Sequence, residues 1–131
     1  TNDGGETWTD LEEKMNYFSG ASTYARLLFH EGENTLYYAS KYGILTSDDR
    51  GETWEALKLL TPPKGANIFS LAVNPKNARE IYYASDRTFY KSVDGGEHWS
   101  THPLPTGRIP TQLVIDPLEP NVIYMGVAAS R

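Results

Sequence analysis

Three copies of one eight-residue pattern constrain this chain of 131 residues more than any other feature. They read TNDGGETW at 1–8, SDDRGETW at 47–54 and SVDGGEHW at 92–99. Trp8, Trp54 and Trp99 are 46 and 45 positions apart. A fixed period near 45 is the mark of a repeat architecture, in which each unit buries its apolar face only against its neighbours. The sequence between the copies repeats too. LYYAS begins at Leu36 and IYYAS at Ile81, again 45 apart. Asn74-Pro75 is mirrored by Asp116-Pro117, and EIYYAS by VIYMGV at 122–127.

The chemistry of each copy is that of a tight hairpin turn. Asp3, Asp49 and Asp94 can fold a carboxylate back onto backbone N–H groups a few residues on. Gly5, Gly51 and Gly96 can take positive φ without steric cost. The residue pairs Thr7-Trp8, Thr53-Trp54 and His98-Trp99 then start a strand, and an indole wants an apolar seat with its N–H satisfied. Each copy, opened by Thr1, Ser47 or Ser92, therefore reads as a strand, an Asp-closed turn and a strand.

These residues resemble the Asp-box, or BNR repeat, with the pattern S/T-x-D-x-G-x-T-W. The first two copies match it fully. The third has His98 where the family has Thr, which bears on one side-chain hydrogen bond and not on the turn. The resemblance implies an all-β fold of four-stranded antiparallel propeller blades, with the box between the third and fourth strands of each blade. Families with such boxes include sialidases, xyloglucanase-type glycoside hydrolases, sortilin-like receptors and the photosystem II assembly factor. Their activities differ, so the box implies a fold and not a function.

Composition limits the classes. Nine Tyr and three Trp suit pleated surfaces. A formal charge of −5 argues against a nucleic-acid partner. With no Cys, disulfides and thiolate sites are excluded. No apolar stretch approaches the roughly 18 residues of a membrane span.

Taken in order, strands are expected at 6–11, 24–30, 36–40, 44–47, 53–60, 68–73, 81–85, 89–93, 99–104, 112–115 and 122–127. The apolar run IFSLAV at 68–73 fits a strand buried on both faces. No helix is expected; the nearest candidate is 10–18. The units run approximately 1–46, 47–91 and 92–131 within a single segment. Propellers typically close with about 4–8 blades. The segment is therefore expected to belong to a larger propeller, or to a part-propeller closed by self-association.

Candidate site residues are sparse. Arg108, Ile109 and Pro110 echo the Arg-Ile-Pro motif of sialidases, whose arginine grips a carboxylate, but here they follow the third box. Glycoside hydrolysis needs two carboxylates flanking one bond; the acids at strand ends are Asp86, Asp116 and Glu119. Asp86-Arg87 also reads as a hairpin turn and Asp116-Pro117 as a strand stop. His98 and His102 are about 13 Å apart along a strand, too far to share a metal, and His30 reads as a strand end. No metal or cofactor is expected. Tyr37, Tyr38, Tyr82, Tyr83 and Tyr124 recur at repeat positions, as packing between blades or as a recognition surface. Ligand contact is expected, if anywhere, at Asp86, Arg87, Arg108, Tyr38 and Tyr83.

These residues read as a non-catalytic scaffold or binding module for a protein or carbohydrate partner, extracellular or periplasmic. The alternatives are a segment of a secreted glycoside hydrolase, xyloglucanase- or sialidase-like, and an assembly-factor or sortilin-like receptor propeller.

Overall fold

A computed structural model describes residues 1–129, with residues 24 and 25 described by their backbone alone. Tyr24–His30 (β1), Thr35–Ser40 (β2), Ile44–Ser47 (β3) and Glu55–Ala56 (β4) form one four-stranded antiparallel sheet in that order. Ser70–Asn74 (β5), Asn77–Ala84 (β6), Thr88–Ser92 (β7) and Ser100–Pro103 (β8) form a second. Ile109–Ile115 (β9) and Ile123–Ala128 (β10) form a two-stranded sheet.

The registers repeat with the sequence. Leu36 pairs with Ser47 in the first sheet and Ile81 with Ser92 in the second. The first strands β1, β5 and β9 lie side by side, so the three sheets fan out from a common inner edge. Each sheet is a blade that meets the next face to face.

Side-chain alternation along each strand decides what each face buries. Tyr37, Ala39 and Ile44 of the first blade meet Leu71, Val73, Ile81, Tyr83 and Tyr90 of the second. The other face of the second blade, with Ala72, Tyr82 and Ala84, meets Leu113 and Ile115 of the third. The middle blade is thus covered on both sides, which is why every residue of β5 is buried. Tyr83 and Tyr90 stack at 4.2 Å, and Trp99 meets Tyr83 edge-on at 5.0 Å. Offset and edge-on ring contacts of this kind add to burial.

Three expectations need correction. Residues 6–11 form no strand, because no described strand edge lies beside them to complete a ladder, and Trp8 is 78% exposed rather than seated in a core. The outer strand of the first blade holds only two residues. Beyond Ala56, the Leu57 N–H still donates to Ile44 O at 2.8 Å, and then Leu57 and Leu59 turn into the core between blades. A 3-10 helix covers Glu12–Met15. The Asp10 carboxylate accepts the Glu12 N–H at 2.8 Å and turns the chain into it.

Candidate ligand-binding site

Because neighbouring strands alternate in direction, every connection falls at one of two ends. The upper end is where β1, β5 and β9 begin. It gathers the connections 41–43, 57–69, 85–87 and 104–108 and the entering segment 16–23. The lower end gathers the three repeated turns and the hairpins after β1, β5 and β9.

At the lower end the polar groups bond to one another. In the second turn Asp49 accepts the Ser47 hydroxyl and the Thr53 N–H at 2.8 Å on one oxygen, and the Thr53 hydroxyl at 2.5 Å on the other. Gly51, at φ +89°, donates its N–H to Ser47 Oγ, and the Trp54 indole donates back to Gly51 O at 2.9 Å. The first turn repeats this with Thr1, Asp3, Gly5, Thr7 and Trp8. The third keeps the bond at the substituted position, since His98 Nδ1 lies 2.7 Å from Asp94 Oδ2. The Ser92 hydroxyl, the Gly96 N–H and the Trp99 indole complete it. The Thr53 hydroxyl above all, then the Thr53 N–H and Ser47, hold the Asp49 carboxyl down at about 2. Asp3, through Thr7, and Asp94, through His98, are lowered as well.

Nearby, His30 is buried. Its Nδ1 accepts the Glu33 N–H and its Nε2 lies 2.9 Å from the Asn74 carbonyl, which ties the inner strands of two blades. Asp116 caps the last hairpin, accepting the N–H groups of Leu118 and Glu119 and the Tyr124 hydroxyl.

The upper end is open. A cleft of about 530 Å³ lies between the inner ends of the blades, lined by Thr23, Arg26, Ser40, Lys41, Asn67, Phe69 and Thr111 among others. Arg26 donates to the Thr111 carbonyl across the cleft. Arg26 escaped the sequence reading, though a signal was present. In register it stands where the next two inner strands carry Ser70 and Gln112, so it is a charge at a position otherwise small or neutral.

The expected contact residues separate. Asp86 and Arg87 form the exposed β6–β7 connection, and Arg108 is exposed in the loop entering β9. Tyr83 is wholly buried and cannot meet a ligand; it is core, as are Tyr37 and Tyr82. Tyr38 is half-buried, its hydroxyl donating to Ala21 O at 2.7 Å and its ring edge-on to Trp54. His102 is exposed on β8. Asp86 stands at the upper end, while Asp116 and Glu119 stand at the lower. A strand length of about 20 Å separates them, far beyond the roughly 5–9.5 Å spacing of a glycosidase pair.

No family model matches the sequence, and no curated protein matches it. Solved structures do match. The chain superposes on a GH74 enzyme of Niastella koreensis with a TM-score of 0.64 at 20% identity, over 79% of this chain and 17% of that one. These are the blades of a β-propeller. The extracellular domain of a one-component system of B. thetaiotaomicron gives a propeller match with a TM-score of 0.58 at 17% identity, over 84% and 14% of the two chains. YCF48, solved bound to D1 peptide, gives 0.56 at 18%, over 73% and 31%. The chain spans less than a third of the length of each of these propellers.

Proposed function

We propose that this chain is an Asp-box propeller segment of three units, approximately 1–46, 47–91 and 92–131, that works as a non-catalytic binding module. Its ligand, a protein or a carbohydrate, sits at the upper end, in the cleft around Arg26 and on the loops beside it. The protein acts outside the cytoplasm, in an extracellular or periplasmic space. One observation carries the reading. The cleft is open and carries Arg26 and Lys41 among hydroxyl-bearing and apolar side chains, while among the described residues the connections at that end hold a single carboxylate, Asp86. Without a second acid near it, Asp86 has no partner for hydrolysis of a glycosidic bond. The varied names of the structural neighbours fit a fold that carries functions on its loops.

A glycan array together with a reducing-sugar assay on xyloglucan and a sialoside tests it. Affinity without turnover is the expected result. Turnover that disappears in Asp86→Asn would replace the reading with the second one, a segment of a secreted glycoside hydrolase. The GH74 structures among the neighbours favour that alternative.

A further inference from the structure

The connections at the two ends of the blades segregate charge. At the upper end, segments 41–43, 59–69, 85–87 and 104–108 hold Lys41, Lys64, Arg87 and Arg108 against one acid, Asp86, while Lys58 is drawn toward the third repeated turn by the Trp99 indole on its carbonyl. At the lower end, segments 31–34, 48–54, 75–76, 93–99 and 116–122 hold nine carboxylates against Arg50 and Lys76. The basic end thus runs against a formal net charge of −5. Every upper connection contributes at least one cation.

Backbone bonds pair the segments that carry these cations. The Lys64 N–H donates to Tyr42 O at 3.2 Å, which sets Lys64 against the connection that carries Lys41. The Leu104 N–H donates to Arg87 O at 2.9 Å, which sets Arg87 beside the loop that carries Arg108. Arg26 lines the cleft with Lys41. Lys41, Arg87 and Arg108 are exposed, and among the described residues none of the three has an ion-pair partner. Like charges held side by side repel, and an anionic ligand relieves that repulsion.

We propose that the upper end binds an acidic peptide segment of a partner protein. Its carboxylates meet Lys41, Arg87 and Arg108, and its backbone lies against the amide and hydroxyls of Asn67, Thr23 and Thr111 in the cleft. This rests on the binding-module reading and names its ligand. The arginine forks suit carboxylates, which they can hold through two parallel bonds. An extended peptide advances about 3.3–3.6 Å per residue, so a ten-residue segment spans about 35 Å. The field of this end is local, because charges are screened within about 8 Å at physiological salt.

The test is fluorescence anisotropy on the 131-residue chain with a labelled peptide of about ten residues alternating Glu and Ser. We expect binding that weakens with salt and is lost when Gln replaces Glu in the peptide. The triple variant Lys41→Glu, Arg87→Glu, Arg108→Glu should weaken it about tenfold or more, at the usual strength of exposed ion pairs. A charge-matched variant at the lower end, Arg50→Glu, Lys76→Glu and Arg79→Glu, the last on β6 where its carbonyl accepts the Gly95 N–H of the third turn, should leave it within about twofold, since its charges lie a strand length away. No binding of the acidic peptide, an equal loss in both variants, or tighter binding of a uronate oligosaccharide would overturn the proposal. If the peptide fails while the glycan array returns a neutral glycan, the binding-module reading stands and this inference falls.

Discussion

Replacing Gly96 by alanine adds one methyl group where the third turn meets the first blade. Gly96 sits at φ +92°, and a Cβ built there lies 2.8 Å from Leu57 Cδ1 and 2.9 Å from Leu57 Cγ. Carbon atoms pack best at about 3.5–4.0 Å, so Leu57 must move. It cannot move freely, because it packs against the core between blades and its own N–H is held by Ile44 O. Gly95 is the built-in control. Its φ is +74°, yet a Cβ there meets nothing within 4 Å. Arg50, which holds the same place in the second turn, adopts φ +63° with a full side chain. The left-handed backbone costs an alanine about 1–2 kcal/mol at either glycine. Overpacking adds about 1–3 kcal/mol at Gly96 alone. Gly95→Ala should therefore cost about 1–2 kcal/mol and Gly96→Ala about 2–5 kcal/mol. Urea unfolding with an unchanged slope reads the difference. If the two variants agree within about 0.5 kcal/mol, the turn is not wedged against Leu57 and the account of the interface is wrong.

Three further outcomes are expected. Trp99→Ala should cost about 2–4 kcal/mol, less than a fully buried Trp because its ring is half-buried, and Trp8→Ala under about 0.5 kcal/mol; equal costs in thermal or urea unfolding would refute the burial assignment. Asp49 titrates at about 2 when folded against 3.8 ordinarily, so its contribution is complete above about pH 4 and is lost as pH falls toward about 2. Thermal midpoints should drop over that window, and less so in Asp49→Asn; a midpoint independent of pH there would show the bonds to Thr53 and Ser47 are not formed. Leu27 and Phe29 on β1 are 56% and 53% exposed, and Tyr124 on β10 57%, whereas their register mates Leu71, Val73 and Tyr82 are buried between blades. Copies should therefore associate head to tail in a light-scattering dilution series, with Phe29→Arg or Tyr124→Arg each giving monomers and an equal mixture of the two giving dimers; a monomeric parent chain refutes it.

Much of the fold was legible because the repeat writes it three times. The placement of Asp49, Gly51 and Trp54 announced a closed turn. Runs such as LYYAS and IFSLAV announced strands by alternation or by continuous apolarity. The bounds of the first three strands were legible, but the end of β4 was not, since β4 stops at Ala56 for a tertiary reason: Leu57 and Leu59 gain more by turning into the core. The Asp10 bond to Glu12 was a local signal for the short helix, weaker than the strand expected beside it. The expected contact residues separate in the fold. Asp86, Arg87 and Arg108 do share the upper end, but Tyr83, alike in sequence to Tyr38, is core because the blade before it covers that face.

Sequence by itself determined the repeated turns, the strand order and the all-β class, because each rests on interactions within a few residues or on a period of two. Tertiary structure alone decided which copy of a repeated residue is buried. Trp8 and Trp99 carry the same local bond to their glycine carbonyl, yet only Trp99 has a Tyr83 ring against it. It also decided the separation of Asp86 from Asp116 and the meeting of Arg26 with Thr111, 85 positions away. Local chemistry cannot encode such placements. They depend on which blade stands next to which, and on the alternating strand directions that sort every loop to one end or the other.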